Sequence, residues 1–412
     1  MHEGWSESPL SDVVELGKGG VWGKDVEDVG LTPAICLRGT DLAELIDQRI
    51  PNAPLRWVTS SELAKSRCAP DMVLIETSGS RCGRSIVLTS GMLAKFGYPV
   101  VYSNFCRTLK IDTKKVSTQY IELWFSHNYA NGLIPSYRAT SAMPNLDIKS
   151  LLRIELLRFP SLTEQRRIVA LVSSVDAYIE SLQQQVDAAR TARNAVLHDL
   201  LSASGDDWTE TPLGDVLEIV RGGSPRPIDA FLTNDATGVN WIKIGDASAS
   251  SKYIYTTGQK IRQEGVSRSR LVKEGDFILS NSMSFGRPYI MRTTGCIHDG
   301  WLLLSKIHVT FDEDYLYNVL LSQDVQSQFE SLAAGSGVRN LNIDVVKQVR
   351  VPVPPRAHQE RIASTANGFD EYVRAAEDAL EEARGLRSGL LADLLSGEHE
   401  IPESYDRFLG AA

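Results

Sequence analysis

Arginine beside glycine is the recurrent chemical feature of this 412-residue chain. Arg84 follows Gly83 in SRCGRSIV, Arg287 follows Gly286 in SFGRPYIM, and Arg221 precedes the glycine pair of RGGSPRP. An arginine fork matches the O6 and N7 edge of guanine in a DNA major groove. A glycine turn lets backbone N–H groups approach a phosphate. The pattern points to nucleic-acid recognition. Candidate contacts in the first half are Lys18, Arg81, Arg84, Arg107 and Arg138, with Lys24 nearby. In the second half they are Arg221, Arg226, Lys243, Arg268, Arg270, Arg287, Arg292 and Arg339. Any one of them taken singly has the alternative of a solvated surface cation. Arg84 and Arg287 stand out because they recur beside a glycine at matched positions, and a structural role for them stays open.

Catalysis by the chain alone finds no support in its motifs. GKGGVWGKD at 17–25 approaches a phosphate loop, but Lys18 stands where a glycine is needed and Asp25 replaces the magnesium-holding hydroxyl. There is no Gly-x-Ser-x-Gly elbow and no His-Glu-x-x-His. The Asn/Asp-Pro-Pro-Tyr/Phe tetrapeptide of amino-methyltransferases is missing; VPVPP at 351–355 lacks both the polar leader and the aromatic tail. His298-Asp299 has the character of a surface turn. The five cysteines form no Cys-x-x-Cys pair, which argues against a disulfide framework or zinc site and suits a reducing cytoplasm. No metal, no cofactor and no enzymatic activity of the isolated chain are expected.

Net charge is −9, which taken whole argues mildly against nucleic acid. The distribution changes that. Residues 1–159 carry about +1 and 209–353 about −1, whereas 160–208 and 354–412 carry about −3 and −6. The two large blocks are near neutral and can each present a basic face. No stretch approaches eighteen apolar residues, so no membrane partner is expected.

The elements that must position these cations are written twice. WSESPLSDVVELGKGG at 5–20 returns as WTETPLGDVLEIVRGG at 208–223. Residues 160–202 match 354–396 without a gap, with landmarks Gln165/Gln359, Arg167/Arg361, Asp176/Asp370, Tyr178/Tyr372 and Arg193/Arg387 and the shared ending Asp-Leu-Leu-Ser. Between phrase and arm lies a diverged block in each half, with NLDI at 145–148 echoed by NLNI at 340–343. The unit is too long for a solenoid repeat.

Each arm carries apolar residues in alternating steps of four and three, the 3.5-residue period of a coiled coil. The first seam includes Ile168, Val172, Val175, Ile179, Leu182 and Val186. The second includes Ile362, Phe369, Val373, Leu380, Leu390 and Leu394. Arg193 and Arg387 interrupt the two seams at the same place, either to fix register, to meet partner carboxylates, or as solvated edge positions. About 40 helical residues span about 60 Å. Such a stripe needs a partner, and the two arms are predicted to pack antiparallel.

In the blocks, VNWIKIGD (239–246), DFILS (276–280), GRPYIM (286–291) and WLLLSKIHV (301–309) have strand character. So do LRWVTS (55–60), DMVLIE (71–76), GRSIVLT (83–89) and VVYSNFCRTL (100–109). YIELWFSHN (120–128) and DYLYNVLLSQDVQSQFESL (314–332) look helical. The expected fold class is α+β, with two mixed α/β domains at 1–159 and 205–353. Helical arms at 160–204 and 354–412 complete it, arranged about an internal pseudo-two-fold.

Two diverged blocks, each introduced by Trp-x-x-x-Pro-Leu-x-Asp-Val, alternate with arms that open on LTEQRRI (162–168) or AHQERI (357–362) and close on Asp-Leu-Leu-Ser. With RGGSPRP at 221–227, this arrangement resembles the specificity subunits of type I restriction–modification systems over about residues 5–398. The second arm departs from the Glu-Gln order, and LGKGGVWGK stands in the first block where the second has RGGSPRP. The resemblance implies a non-catalytic reader of double-stranded DNA. Each block would be a target-recognition domain on one half of a bipartite site. The helices would set the spacer and dock two methyltransferase subunits, which bring S-adenosylmethionine and, through them, restriction subunits. The competing reading is a coiled-coil scaffold that binds protein and has no DNA specificity.

Overall fold

The structure is a computed structural model that describes residues 4–140, 144–202, 208–247, 251–281, 285–334 and 341–409. It divides into two compact units, one of residues 1–182 with 379–412 and one of residues 183–378. The division falls inside both long helices, so each unit holds one diverged block and a part of each arm.

In the first unit the opening phrase forms a strand, Ser6–Pro9, that pairs antiparallel with Leu156–Phe159 at the block's exit. The chain therefore enters and leaves the block side by side. Between these ends lies an antiparallel sheet in the order Val14–Gly19, Cys106–Ile111, Val73–Glu76, Ser85–Val87. A smaller sheet sets Thr32–Leu37 between Leu55–Val58 (antiparallel) and Val100–Tyr102 (parallel). The helix Thr118–Ala130, capped by Ser117, contributes Tyr120, Ile121, Trp124 and Phe125 to a core that also contains Ile168, Val172, Leu391 and Leu394 of the arms. Block and arms thus bury one continuous apolar surface, the main source of their cohesion.

The second unit repeats the plan with more strand. Thr209–Pro212 pairs with Arg350–Val353. One sheet runs Glu218–Arg221, Trp301–Ser305, Phe277–Ser280, Pro288–Met291, Tyr253–Ile254. The other runs Leu232–Thr233, Gln259–Ile261, Val239–Ile242, Gly295–Ile297, Arg270–Val272. Two expected elements are broken. VVYSNFCRTL is two strands separated by a turn at Ser103–Phe105, and the long helical stretch is two helices, Glu313–Leu321 and Gln323–Ala334, parted at Ser322. The strand expected over 301–309 stops at Ser305, because Lys306 turns left-handed (φ 66°) into the helical turn Ile307–Thr310. Asp147 and Asn342, the third residues of the echoed fragments NLDI and NLNI, start helices. Asp147 accepts from the Ser150 N–H at 3.1 Å and Asn342 from the Val345 N–H at 2.8 Å, each capping a short helix that leads into the exit strand.

The arms are helices Leu162–Ser202 and Arg356–Ser396, 41 residues each. Within the first unit Asp176 meets Arg387, and Ile168 shares a core with Leu391 and Leu394. Within the second, Arg190 meets Glu377, Arg193 meets Asp370, and Leu197 shares a core with Ile362 and Ala366. Rising numbers on one helix face falling numbers on the other, so the helices pack antiparallel. The matched arginines bridge to the matched aspartates of the opposite helix, which selects carboxylate pairing over a solvated edge. Ile168, Val172, Leu182, Val186, Ile362, Leu380 and Leu394 are buried; Val175, Ile179, Phe369, Val373 and Leu390 are partly buried. Near each helix end burial moves to Leu197 and Leu391, one residue past the seam positions. A 3.6-residue helix drifts against a 3.5-residue stripe. Gly397, at φ 77°, ends the second helix; Gly205 lies outside the described residues.

Candidate nucleic-acid interface

In the second unit the strand Glu218–Arg221 runs into Gly222-Gly223, and this pair packs against the turn His298–Gly300. A Cβ on Gly222 would stand 2.1 Å from the His298 carbonyl oxygen, and one on Gly223 3.0 Å from that of Arg268. The glycines are there for close approach. Their N–H groups donate to the carbonyls of Trp301 (2.9 Å) and Ile297 (3.1 Å), so the expectation that they cradle a phosphate is corrected: the donors are already used inside the domain.

The turn itself is a hub for the expected cations. Arg221 Nε donates to the Asp299 carbonyl at 3.0 Å, as does Asn281 Nδ2 at 2.9 Å. Ser224 Oγ donates to Asp299 Oδ1 at 2.6 Å, and Arg226 stands 3.5 Å from the same carboxylate. The Ser224 hydroxyl, against the opposing effect of burial and with help from Arg226, sets the Asp299 carboxyl below its ordinary range, so it is ionised at neutral pH. Burial lowers the His298 pKa, leaving the imidazole neutral there; its Nε2 accepts from the Ile244 N–H at 3.1 Å. Lys243 precedes that residue. Arg270 pairs in register with Ile297, and Arg268, exposed, lies over the Phe231 ring at 5.3 Å. Five expected contacts, Arg221, Arg226, Lys243, Arg268 and Arg270, thus gather around one turn, four of them exposed and Lys243 partly so. Arg287 and Arg292 face elsewhere. Arg287 lies over Tyr289 (5.7 Å), while Arg292 lies over Tyr253 (4.3 Å) and meets Glu313 at 3.3 Å. Arg339 lies outside the described residues.

The first unit builds the corresponding place with fewer charges. Gly20 packs on the turn Ser103–Phe105, where a Cβ would meet the Tyr102 carbonyl at 1.9 Å and that of Ser103 at 2.5 Å. Lys18 is exposed beside it, and Arg107 reaches the Gly17 carbonyl at 3.4 Å. Arg138 is committed to a different loop, donating to the Cys82 carbonyl at 2.8 Å and covering Tyr129, while Arg81 on that loop is exposed. Arg84 is the clear correction. It is 8% exposed, bridges Glu76 at 2.8 Å and donates to the Gly39 carbonyl at 3.1 Å, so its fork is consumed in the interior. Sequence reasoning missed Arg56. Also buried, it donates to the carbonyls of Trp22 (3.0 Å) and Gly23 (3.2 Å), pairs with Asp25 and covers the Trp22 ring at 4.6 Å. In LRWV nothing but strand alternation hints that this arginine points inward.

The joint between each block and its arm is duplicated atom for atom. Gln165 Oε1 accepts from the Ser117 N–H at 2.7 Å, and its Nε2 lies 2.9 Å from the carbonyls of Lys115 and Pro160. Gln359 does the same with the Asp312 N–H (2.8 Å) and the carbonyls of Thr310 (3.0 Å) and Pro354 (2.9 Å). Both side chains are fully buried. Tyr120 and Tyr315 add a second matched tie, each donating its hydroxyl proton to the exit strand, at Arg158 and Pro352.

Two mixed blocks, each stapled to a pair of long helices, with cations gathered around a glycine-packed turn, are the features to set beside known proteins. Residues 205–382 match the type I restriction modification DNA specificity domain. Over 353 residues the chain is 19% identical to the type I restriction enzyme MjaVIII specificity subunit of Methanocaldococcus jannaschii, covering 80% of this chain and 79% of that one. Over 427 residues it is 20% identical to the putative MjaX specificity subunit of the same organism, covering 97% and 94%. The fold is that of the type I restriction–modification system S subunit from M. genitalium (TM-score 0.52, 15% identity, 96% of both chains). A chain from a structural study of complex assembly and conformational transition of the type I system is also similar (TM-score 0.65, 15% identity, 95% of this chain and 97% of that one). The chain resembles the specificity subunits of type I restriction–modification systems, in fold over nearly its whole length and in family pattern over its second half.

Proposed function

We propose that this chain is the non-catalytic DNA-reading subunit of a type I restriction–modification complex. Each block reads one half of a bipartite site in double-stranded DNA. The paired helices set the spacer between the halves and dock methyltransferase subunits, through which restriction subunits join. The observation that carries this reading is the duplicated joint. Gln165 and Gln359 fix two different readers to the two arms in the same way, as a device for presenting two unlike half-sites requires. The cations around the His298–Gly300 turn supply the phosphate attraction on which such binding depends.

Methylation mapping in cells with and without this chain, alongside its methyltransferase, tests the proposal. A modified motif of two defined halves and a fixed gap should vanish with the chain. Inserting one heptad into both arms should change the gap and leave the halves alone. A purified complex whose affinity ignores both DNA sequence and salt would favour the scaffold reading.

A further inference from the structure

The turn Ser103–Phe105 occupies, in the first reader, the place that His298–Gly300 occupies in the second. Both follow a short strand parallel to a neighbour, both precede a strand held between two antiparallel neighbours, and each receives a close-packed glycine, Gly20 or Gly222. Their backbones are anchored; their side chains differ in kind.

In the first reader the Thr77 N–H and hydroxyl both donate to the Phe105 carbonyl (2.8 and 3.1 Å), the Cys106 N–H to the Ser103 carbonyl (3.0 Å), and the Ser103 N–H to that of Leu37 (2.9 Å). Ser103 and Cys106 are fully buried. Between these fixed points Asn104 is exposed and Phe105 is 37% exposed. Neither is demanded by the backbone, because the second reader closes the same turn with Asp299 and a buried Gly300. There the tip residue is turned to internal use: its carbonyl takes Arg221 and Asn281, and its carboxylate takes Ser224. A rigid turn that holds out an amide and a ring, beside Lys18 and the close-packed Gly20, is equipped for contact with base edges. An asparagine amide matches N6 and N7 of adenine, and an aromatic side chain packs against the thymine methyl group.

We propose that Asn104 and Phe105 are specificity-determining residues of the first reader, and that together they read an A·T pair in one half of the bipartite site. The assignment rests on the DNA-reading function proposed above.

The test uses the chain assembled with its methyltransferase subunits, unaltered or carrying Asn104→Ala, Phe105→Ala or Phe105→Leu. Modified sites are mapped in cells, and each complex is titrated with duplexes bearing the mapped motif or single A·T to G·C changes in it. Both alanine variants should lose about tenfold or more of the discrimination at one A·T pair of one half-site. The other half-site and the gap should stay as they were, and Phe105→Leu should keep part of the preference. Both positions are exposed, so thermal melting should be unchanged; if Phe105→Ala fails to fold, Asn104→Ala decides. Discrimination retained at every pair, or lost evenly over both halves, overturns the assignment. An unaltered complex with no gapped motif would count against the DNA-reading function itself, whereas an intact motif with indifferent variants counts against this turn alone.

Discussion

Arg84 and Arg287 follow a glycine at the same point of the two repeats, yet one is locked inside its domain and the other lies over a tyrosine ring. The difference is one residue on the neighbouring strand. Glu76 and Ser280 are equivalent: each donates its N–H to the carbonyl of the arginine and accepts from the glycine N–H. Where that residue is glutamate, its carboxylate draws Arg84 into a bridge with both groups under one-tenth exposed. Where it is serine, the hydroxyl accepts the Arg287 backbone N–H at 3.0 Å, and the guanidinium lies over Tyr289. Equivalent backbones therefore assign matched arginines to different work, and a matched motif reports the turn rather than the role of the side chain.

The largest effect that would break this comparison lies at Glu76. Glu76→Ser should leave Arg84 buried without its partner and destabilise the first unit by about 3–5 kcal/mol in denaturant unfolding. Replacing both residues by apolar side chains of similar volume should recover most of that loss. Next come the joints, where the halves agree. Gln165→Ala and Gln359→Ala each orphan a buried N–H and two carbonyls, and each should cost about 1–3 kcal/mol. Unequal losses would show that the two joints do not carry the same load.

A smaller and asymmetric effect is expected from pH. Glu122 holds, in the first unit, the place that Tyr317 holds in the second, two residues beyond the matched tyrosines. Burial, with Asp176 nearby, raises the Glu122 carboxyl to about 7 against the opposing pull of Arg387. The folded unit keeps a proton that the unfolded chain has released, so stability should fall as pH rises from 4.5 to about 7 and then level off. Melting curves should show a shift of a few degrees across that window, abolished by Glu122→Gln. The smallest effect belongs to the reciprocal bridges Arg193–Asp370 and Arg387–Asp176. A double-mutant cycle at either should give about 0.2–1 kcal/mol, since the pairs are partly exposed.

Much of this was legible in the chain. The 3.5-residue stripe gave the arms and their pairing, and the echoed phrases marked where each block begins, because duplication copies local patterns along with the contacts they serve. The candidate interface was harder to read. Lys18, Arg221, Arg226, Lys243, Arg268 and Arg270 do lie around the glycine-packed turns, but Arg84 could not be sorted from them without knowing that Glu76 faces it across the sheet. The breaks at Ser103–Phe105 and Ser322 are hidden in the sequence because the flanking segments are apolar enough to read as continuous. Gln165 and Gln359 were visible as landmarks, but their role depends on carbonyls nearly fifty positions away.

Those two glutamines spend their amides on main-chain atoms. A socket that grips peptide groups is blind to the side chains of whatever is plugged into it. Any block that presents a free N–H and a carbonyl at the start of its first long helix meets the fitting, however its loops are written. The recognition surface can then be rewritten, or exchanged whole, without retooling the mount.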